Sequence, residues 1–253
     1  MAAIAVEHLS KRYASGLLAL SDINLEIADG EFVSVVGPSG CGKSTLLRIM
    51  AGLDVASEGR IVMGAGAAAP TADQLASAVV FQEQSLFPWM TVEQNVALAF
   101  DSLNVPRSEV ARRVAKELAL VGLTKFAKAY PHQLSGGMKQ RAGVARAFAV
   151  DPPILYMDEP FGSLDEQTRV AMAGELMALW ERMRKTVVFI THGIEEAITL
   201  ADRVVVISSS PGTVKEILTI DFPRPRDAIS MRGDAKFGEY VVRIWDLLRA
   251  PAP

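Results

Sequence analysis

Eight consecutive residues constrain this chain more than any other feature. Gly37-Pro38-Ser39-Gly40-Cys41-Gly42-Lys43-Ser44 fits the pattern G-x-x-x-x-G-K-[ST]. The run before it, Glu31 to Val36, reads as a strand. The run after it, Lys43 to Ala51, reads as a helix that Gly52 stops. This strand–loop–helix setting is what a phosphate-binding loop requires. Glycines let backbone N–H groups converge on phosphate oxygens, and the helix N-terminus adds its positive dipole. Lys43 can then reach the β- and γ-phosphates of a nucleotide. The Ser44 hydroxyl can bind Mg²⁺, with Thr45 in support, and Cys41 fills a position open to any small residue.

A loop of this kind opens an α/β fold, and the rest of the chain follows that rhythm. Ala78–Phe81, Ile154–Met157, Val187–Ile190 and Val204–Ile207 are apolar runs of strand length. Ile154–Met157 and Val187–Ile190 are continuous rather than alternating, as expected for parallel strands covered on both faces. They also account for a composition that is 50% hydrophobic without a membrane span, because a span needs about 18 consecutive apolar residues. Glu7, His8, Lys11 and Arg12 interrupt the N-terminus before an export signal can form. A net charge of −3 gives no basic excess for a nucleic-acid partner. The single cysteine excludes an internal disulfide and suits a reducing compartment.

Two stretches depart from the alternation. The first 30 residues and Glu58 to Phe81 read as short strands forming an antiparallel flank. Gln82 to Val150 reads as a mainly helical insertion. Within it, Ser108 is expected to cap a helix carrying Val110, Val114, Leu118 and Val121, which Gly122 ends. The expected organisation is one domain over 1–222, with core and flank in 1–82 and 151–222 and a helical subdomain over 83–150. A tail over 223–253 follows, holding Pro223, Pro225, Pro251 and Pro253 and a short helix from Phe237 to Leu248.

A second acidic motif complements the loop. Ile154-Leu155-Tyr156-Met157 ends in Asp158 and Glu159. Asp158, at the strand end, is placed to hold Mg²⁺ through water. Glu159 points elsewhere and can orient or deprotonate an attacking water.

With these residues in view, Leu134-Ser135-Gly136-Gly137-Met138-Lys139-Gln140-Arg141 resembles the signature of ATP-binding cassette (ABC) ATPases. The resemblance runs from about Ile4 to about Ile220. It implies a P-loop NTPase, with a RecA-like parallel sheet core, an antiparallel β flank and a helical insertion subdomain, that hydrolyses ATP with Mg²⁺. It further implies that Tyr13 stacks on adenine and that Gln82 senses Mg²⁺ and the attacking water. Glu159 would be the base and His192 would contact the γ-phosphate. Ser163-Leu164-Asp165 would form a loop at a dimer interface. Ser135, Gly136, Gly137 and Gln140 would face the ATP held by a second copy. Gly193 departs from the aspartate that such chains commonly place after this histidine.

The same resemblance implies a homodimer serving two transmembrane permease subunits at the cytoplasmic face of the inner membrane, with an extracytoplasmic substrate-binding protein in the complex. Glu83 to Val96 is similar to the segment where a permease helix docks in importers, with Leu86, Phe87 and Trp89 as its exposed apolar groove. Ser209-Ser210-Pro211-Gly212 and Pro223-Arg224-Pro225-Arg226-Asp227 are similar to an importer branch for nitrate, sulfonates and taurine, with relatives for thiamine precursors and aromatic carboxylates. Exporters with separate membrane subunits remain open. Soluble cassettes of chromosome maintenance would carry a coiled coil between Gln82 and Ser135, and no heptads occur there.

Overall fold

The computed structural model describes residues 2–64, 76–81, 86–162, 164–209 and 211–249. Along the chain these form β1 (Ala2–Arg12), β2 (Leu18–Ala28), β3 (Phe32–Val36), α1 (Lys43–Met50), β4 (Glu58–Met63), β5 (Ser77–Val80), α2 (Val92–Ala97), α3 (Arg107–Leu120), α4 (Gly136–Ala149), β6 (Ile154–Asp158), α5 (Glu166–Met183), β7 (Thr186–Ile190), α6 (Ile194–Leu200), β8 (Arg203–Ile207), β9 (Val214–Thr219), α7 (Ala228–Arg232) and α8 (Ala235–Arg249). Gln82, Glu83, Gln84, Ser85, Ser163, Ser210, Pro251 and Pro253 lie outside the described residues. Two compact units result, Met1–Ala67 with Val170–Pro253, and Ala68–Arg169.

In the first unit β3 lies between β7 and β8 and runs parallel to both, with Val33 opposite Val188 on one side and Arg203 on the other. All five residues of β3 and of β7 are buried. That is the reason these strands read as nearly continuous apolar runs, with only Ser34 and Thr186 polar. β9 closes the edge antiparallel to β8. The same unit holds the flank, in the order β2-β1-β4, all antiparallel. Its strands β1 and β2 have 11 residues each rather than being short. Polar and apolar residues alternate along β2 from Asp22 to Ile27, and only the apolar ones are buried, so one face is covered. The tail folds back on this unit. The Tyr240 hydroxyl of α8 donates to the Thr219 carbonyl, and Lys215 of β9 donates to the Leu247 carbonyl.

In the second unit β5 pairs parallel with β6, Ala78 opposite Leu155. This corrects the expectation that everything from Glu58 to Phe81 joins the antiparallel flank. Ala78 to Val80 are consecutive apolar residues and suit a strand beside the fully buried β6, whereas the flank strands alternate. Helices α2, α3 and α4 share a core of Val92, Val96, Phe100, Val114, Leu118, Ala142 and Ala145.

Three further expectations change. Ser108 lies inside α3, whose N-cap position is Pro106. The proline ring fixes φ near the helical value and needs no N–H partner, so the helix starts directly after it. Leu86 is only 8% exposed and belongs to the helical core, so it is not part of an apolar surface. The tail helix spans Ala235–Arg249 and is preceded by α7. No helix among the described residues is long and apolar enough to cross a membrane.

Candidate functional site

The first unit presents the phosphate loop at the end of β3. Gly42, the N-cap of α1, sits at φ 97°, a left-handed conformation that glycine adopts without strain. Lys43 is buried, and its Nζ donates to the carbonyls of Gly37 at 2.8 Å and Pro38 at 3.1 Å. The ammonium therefore already spans the loop. The buried Cys41 Sγ lies 4.0 Å from Nζ. Burial pushes the Cys41 thiol up, against the pull of Lys43, so it stays a thiol at neutral pH. Pro38 is partly exposed and Ser39 and Gly40 are exposed, leaving the rim of the loop open. Ser44 and Thr45 lie in the first turn of α1. The Thr45 hydroxyl is 3.0 Å from the Tyr13 hydroxyl, which ties the aromatic to the loop helix and leaves part of its ring in solvent.

Sequence reasoning missed one support of this loop. Gly212 exchanges bonds with β2, its N–H donating to Ala19 O and its carbonyl accepting from Ser21 N, each at 2.9 Å. A Cβ on Gly212 would lie 2.2 Å from the Cys41 carbonyl oxygen. Only glycine lets the backbone of residue 212 approach the loop so closely. In the sequence, Ser209 to Gly212 stood out only as a likeness to an importer branch, with no structural role attached.

His192 follows β7, exposed, one residue before Gly193, the N-cap of α6. Thr191 secures both sides of it. Its hydroxyl accepts the Gly193 N–H at 2.9 Å and donates to the Glu196 carboxylate. His8 and His132 are also exposed.

The second unit carries the signature and the acidic pair. Ser135 caps α4, its hydroxyl accepting the Met138 N–H at 3.3 Å. Ser135 and Gly136 are exposed, so the N-terminus of this 14-residue helix faces outward with its dipole. Gln140 does not share that surface. It is 2% exposed, just over one helical turn along α4 from Ser135, so the chain's own residues cover it. Asp158 ends β6 and is buried. Glu159 takes φ 45°, rare for a side-chain-bearing residue, which turns its carboxylate off the strand. Asp165 caps the start of α5 by accepting the N–H and hydroxyl of Thr168 at 2.9 and 2.8 Å. These bonds hold its carboxyl below the usual range.

Phe87 and Trp89 are exposed, Trp89 at 68%, with ring centroids 5.3 Å apart. Their loop is held by Asn95, which sequence reasoning passed over. Fully buried, Asn95 accepts the Phe87 N–H at 2.7 Å and donates to the carbonyls of Phe87, Met90 and Thr91 at 3.0–3.1 Å.

Magnesium takes oxygen donors and keeps several waters and phosphate oxygens. Ser44 and Asp158 offer such oxygens, and no group of three or more His, Cys, Asp or Glu gathers as a metal site among the described residues. Each of these oxygens, taken within its own unit, is of the kind such an ion uses when a nucleotide supplies most of its ligands.

The ABC transporter family profile matches residues 20–162. An uncharacterised ABC transporter ATP-binding protein of Methanocaldococcus jannaschii is 46% identical over 248 residues, covering 96% of this chain and 90% of that protein. A nitrate import ATP-binding protein of Synechocystis is 45% identical over 239 residues, 92% of this chain and 89% of its own length. The fold matches that of a dimeric ATP-binding cassette in a post-hydrolysis state, bound to ADP and Pi. The TM-score is 0.74 at 32% identity, covering 87% of this chain and all of the other.

Proposed function

Because the chain belongs to the ABC transporter family and is an ATP-binding ATPase of that family, we propose that it powers an importer, that two copies close around two ATP, and that the cargo is a small anion such as nitrate, a sulfonate or taurine. The observation that carries the reading is that one chain holds a complete phosphate loop and one outward-facing helix N-terminus at Ser135–Gly136. Each can serve a phosphate group, and a single nucleotide engaging both is best met by two copies placed head to tail. A structural relative is a dimer bound to ADP and Pi, which supports this arrangement.

In the proposed cycle Lys43 leaves the carbonyls of Gly37 and Pro38 for the β- and γ-phosphates. Ser44, Gln82 and, through water, Asp158 would hold Mg²⁺, which would supply charge neutralisation at the phosphate oxygens. Tyr13 packs against the adenine. Glu159 takes the proton of the attacking water, and His192 donates to the γ-phosphate. Ser135 and Gly136 of the second copy contact the same phosphate, and Asp165 lies near the interface. Hydrolysis removes the shared contact and releases the halves, which makes the dimer a two-state switch.

Phe87 and Trp89 are the proposed seat of a permease helix, at the cytoplasmic face of the membrane. The nitrate import relative supports the importer reading and the anionic cargo. Two measurements test the proposal. Glu159→Gln should bind ATP, run as a dimer with ATP and Mg²⁺ in gel filtration, and hydrolyse about 10²–10⁴ times more slowly. A variant that stays monomeric at saturating ATP, or turns over at the parental rate, refutes it. Affinity purification from membranes should recover polytopic partners whose ATPase responds to nitrate, taurine or an alkyl sulfonate. A response confined to thiamine precursors or aromatic carboxylates would replace the cargo and keep the importer.

A further inference from the structure

Helix α6 starts two residues after His192 and has seven residues, about two turns. The last four carbonyls of a helix find no partner within it. At this helix end, arginines of the tail supply partners for the carbonyls of residues 198 to 201. Arg226 Nη1 donates to the carbonyls of Ile198 at 3.4 Å, Thr199 at 3.3 Å and Ala201 at 2.7 Å. Its Nη2 reaches Ile220 and Phe222. Arg224 Nη2 donates to Leu200 O at 2.8 Å and to Asp202, and the guanidinium stacks 4.2 Å from the ring of buried Trp180.

Arg226 is only 8% exposed, an uncommon place for a cation, and its hydrogen bonds go to carbonyls. Water would satisfy those carbonyls at less cost in desolvation. What water would not do is fix the helix. The tail then runs on to the other end of α6. Asp227 caps α7 by accepting the Ser230 N–H, and Arg232 at the end of α7 pairs with Glu195 in the first turn of α6 at 2.7 Å. The helix behind His192 is thus held at both ends by residues 224–232.

We propose that Arg226 and Arg224 are positioning residues for ATP hydrolysis. By fixing α6 they hold, through Gly193 and the Thr191–Glu196 bond, the His192 imidazole where it meets the γ-phosphate. This rests on the role given to His192 above. A misplacement well under the size of an atom suffices to slow a positioned group.

The test is a double-mutant cycle on the purified chain, with kcat and KM for ATP and equilibrium ATP binding measured for each variant. Arg226→Met should leave ATP affinity within about twofold and lower kcat about tenfold. In a His192→Ala background the same substitution should change kcat by less than about twofold, because the group it positions is gone. Arg226→Lys, which can serve one carbonyl at a time, should fall between. An equal loss of kcat in both backgrounds, or no loss with His192 present, overturns the proposal. If Arg226→Met fails to fold, Arg224→Lys in the two backgrounds makes the same comparison, with the same deciding outcomes. His192→Ala that alone turns over at the parental rate refutes the role of His192 itself, and the positioning proposal with it.

Discussion

Asn95 offers a sharp test of how the second unit holds its exposed aromatic loop. One amide side chain there serves one N–H and three carbonyls of residues 87–91 while fully buried. Leucine has nearly the same size and no polar atom. In Asn95→Leu the Phe87 N–H loses its acceptor. The Phe87 carbonyl keeps the Met90 N–H, and the Thr91 carbonyl keeps the backbone N–H of residue 95. The loss is therefore one orphaned amide, at about 1–3 kcal/mol, with roughly one further net bond, for a total of about 2–4 kcal/mol. Asn95→Asp is more diagnostic. It keeps the acceptor for Phe87 but aims a second oxygen at three carbonyls. The carboxyl must hold a proton to replace the lost donor, so its pKa in the folded chain rises above the value of about 3.9 in the unfolded one. A raised acid pKa means a penalty that is absent below the unfolded value and grows as pH rises, by about 1.4 kcal/mol per unit until the folded pKa is reached. Urea unfolding followed by far-UV circular dichroism at pH 5.5 and pH 8 should show the gap between parent and Asn95→Asp widening at the higher pH. ATP affinity should not change, because the phosphate loop belongs to the other unit. A gap independent of pH, or Asn95→Leu as stable as the parent, would refute the reasoning.

Further outcomes follow from single contacts. Gly212→Ala places a Cβ against the Cys41 carbonyl at 2.2 Å and must displace backbone on one side, so ATP affinity in a filter-binding or fluorescent-nucleotide titration should fall about tenfold or more. Unchanged affinity would remove Gly212 from the support of the loop. Hydrogen bonds from Arg112 and then Arg113 hold the Glu109 carboxyl to about 2, down from 4.5. A lowered acid pKa stabilises above the unfolded value and is lost as pH falls from about 4.5 towards 2. Glu109→Gln should therefore flatten the acid limb of α3 stability, seen as a smaller difference from the parent at pH 3 than at pH 6.

The phosphate loop was legible because its chemistry lies in backbone conformation that few residues besides glycine permit, and Gly42 carries that information in one letter. The parallel strands were legible because burial on both faces leaves an unbroken apolar run, as in Val204–Ile207. Other features depend on partners distant in sequence. Ala78–Val80 carries the apolar run of a parallel strand, yet its neighbour β6 lies far along the chain. Leu86 lies outside regular structure, so no periodicity separates a core residue from an exposed one. The aromatic pair beside it behaves differently only because Asn95 turns the loop. Gln140 sits close to the signature serine in sequence, yet helical geometry turns it to the buried face. Arg224 and Arg226 read as charged residues between prolines. Their meaning appears only when the tail returns to the end of α6.

The order of strands has a consequence for the making of the chain. β3, with every residue buried, emerges from the ribosome ahead of the partners it has among the described residues, β7 and β8. The Phe32 N–H is met by a carboxylate 170 residues on, that of Asp202. At about 5–20 residues per second the nascent strand waits roughly ten to thirty seconds for those neighbours. Meanwhile the uninterrupted stretch Ala68–Arg169 is synthesised whole. Translation thus completes the contiguous unit before the other, while Phe-Val-Ser-Val-Val, a sticky segment of high β propensity, awaits its partner strands. The yield of folded chain should therefore depend on how fast β7 and β8 arrive.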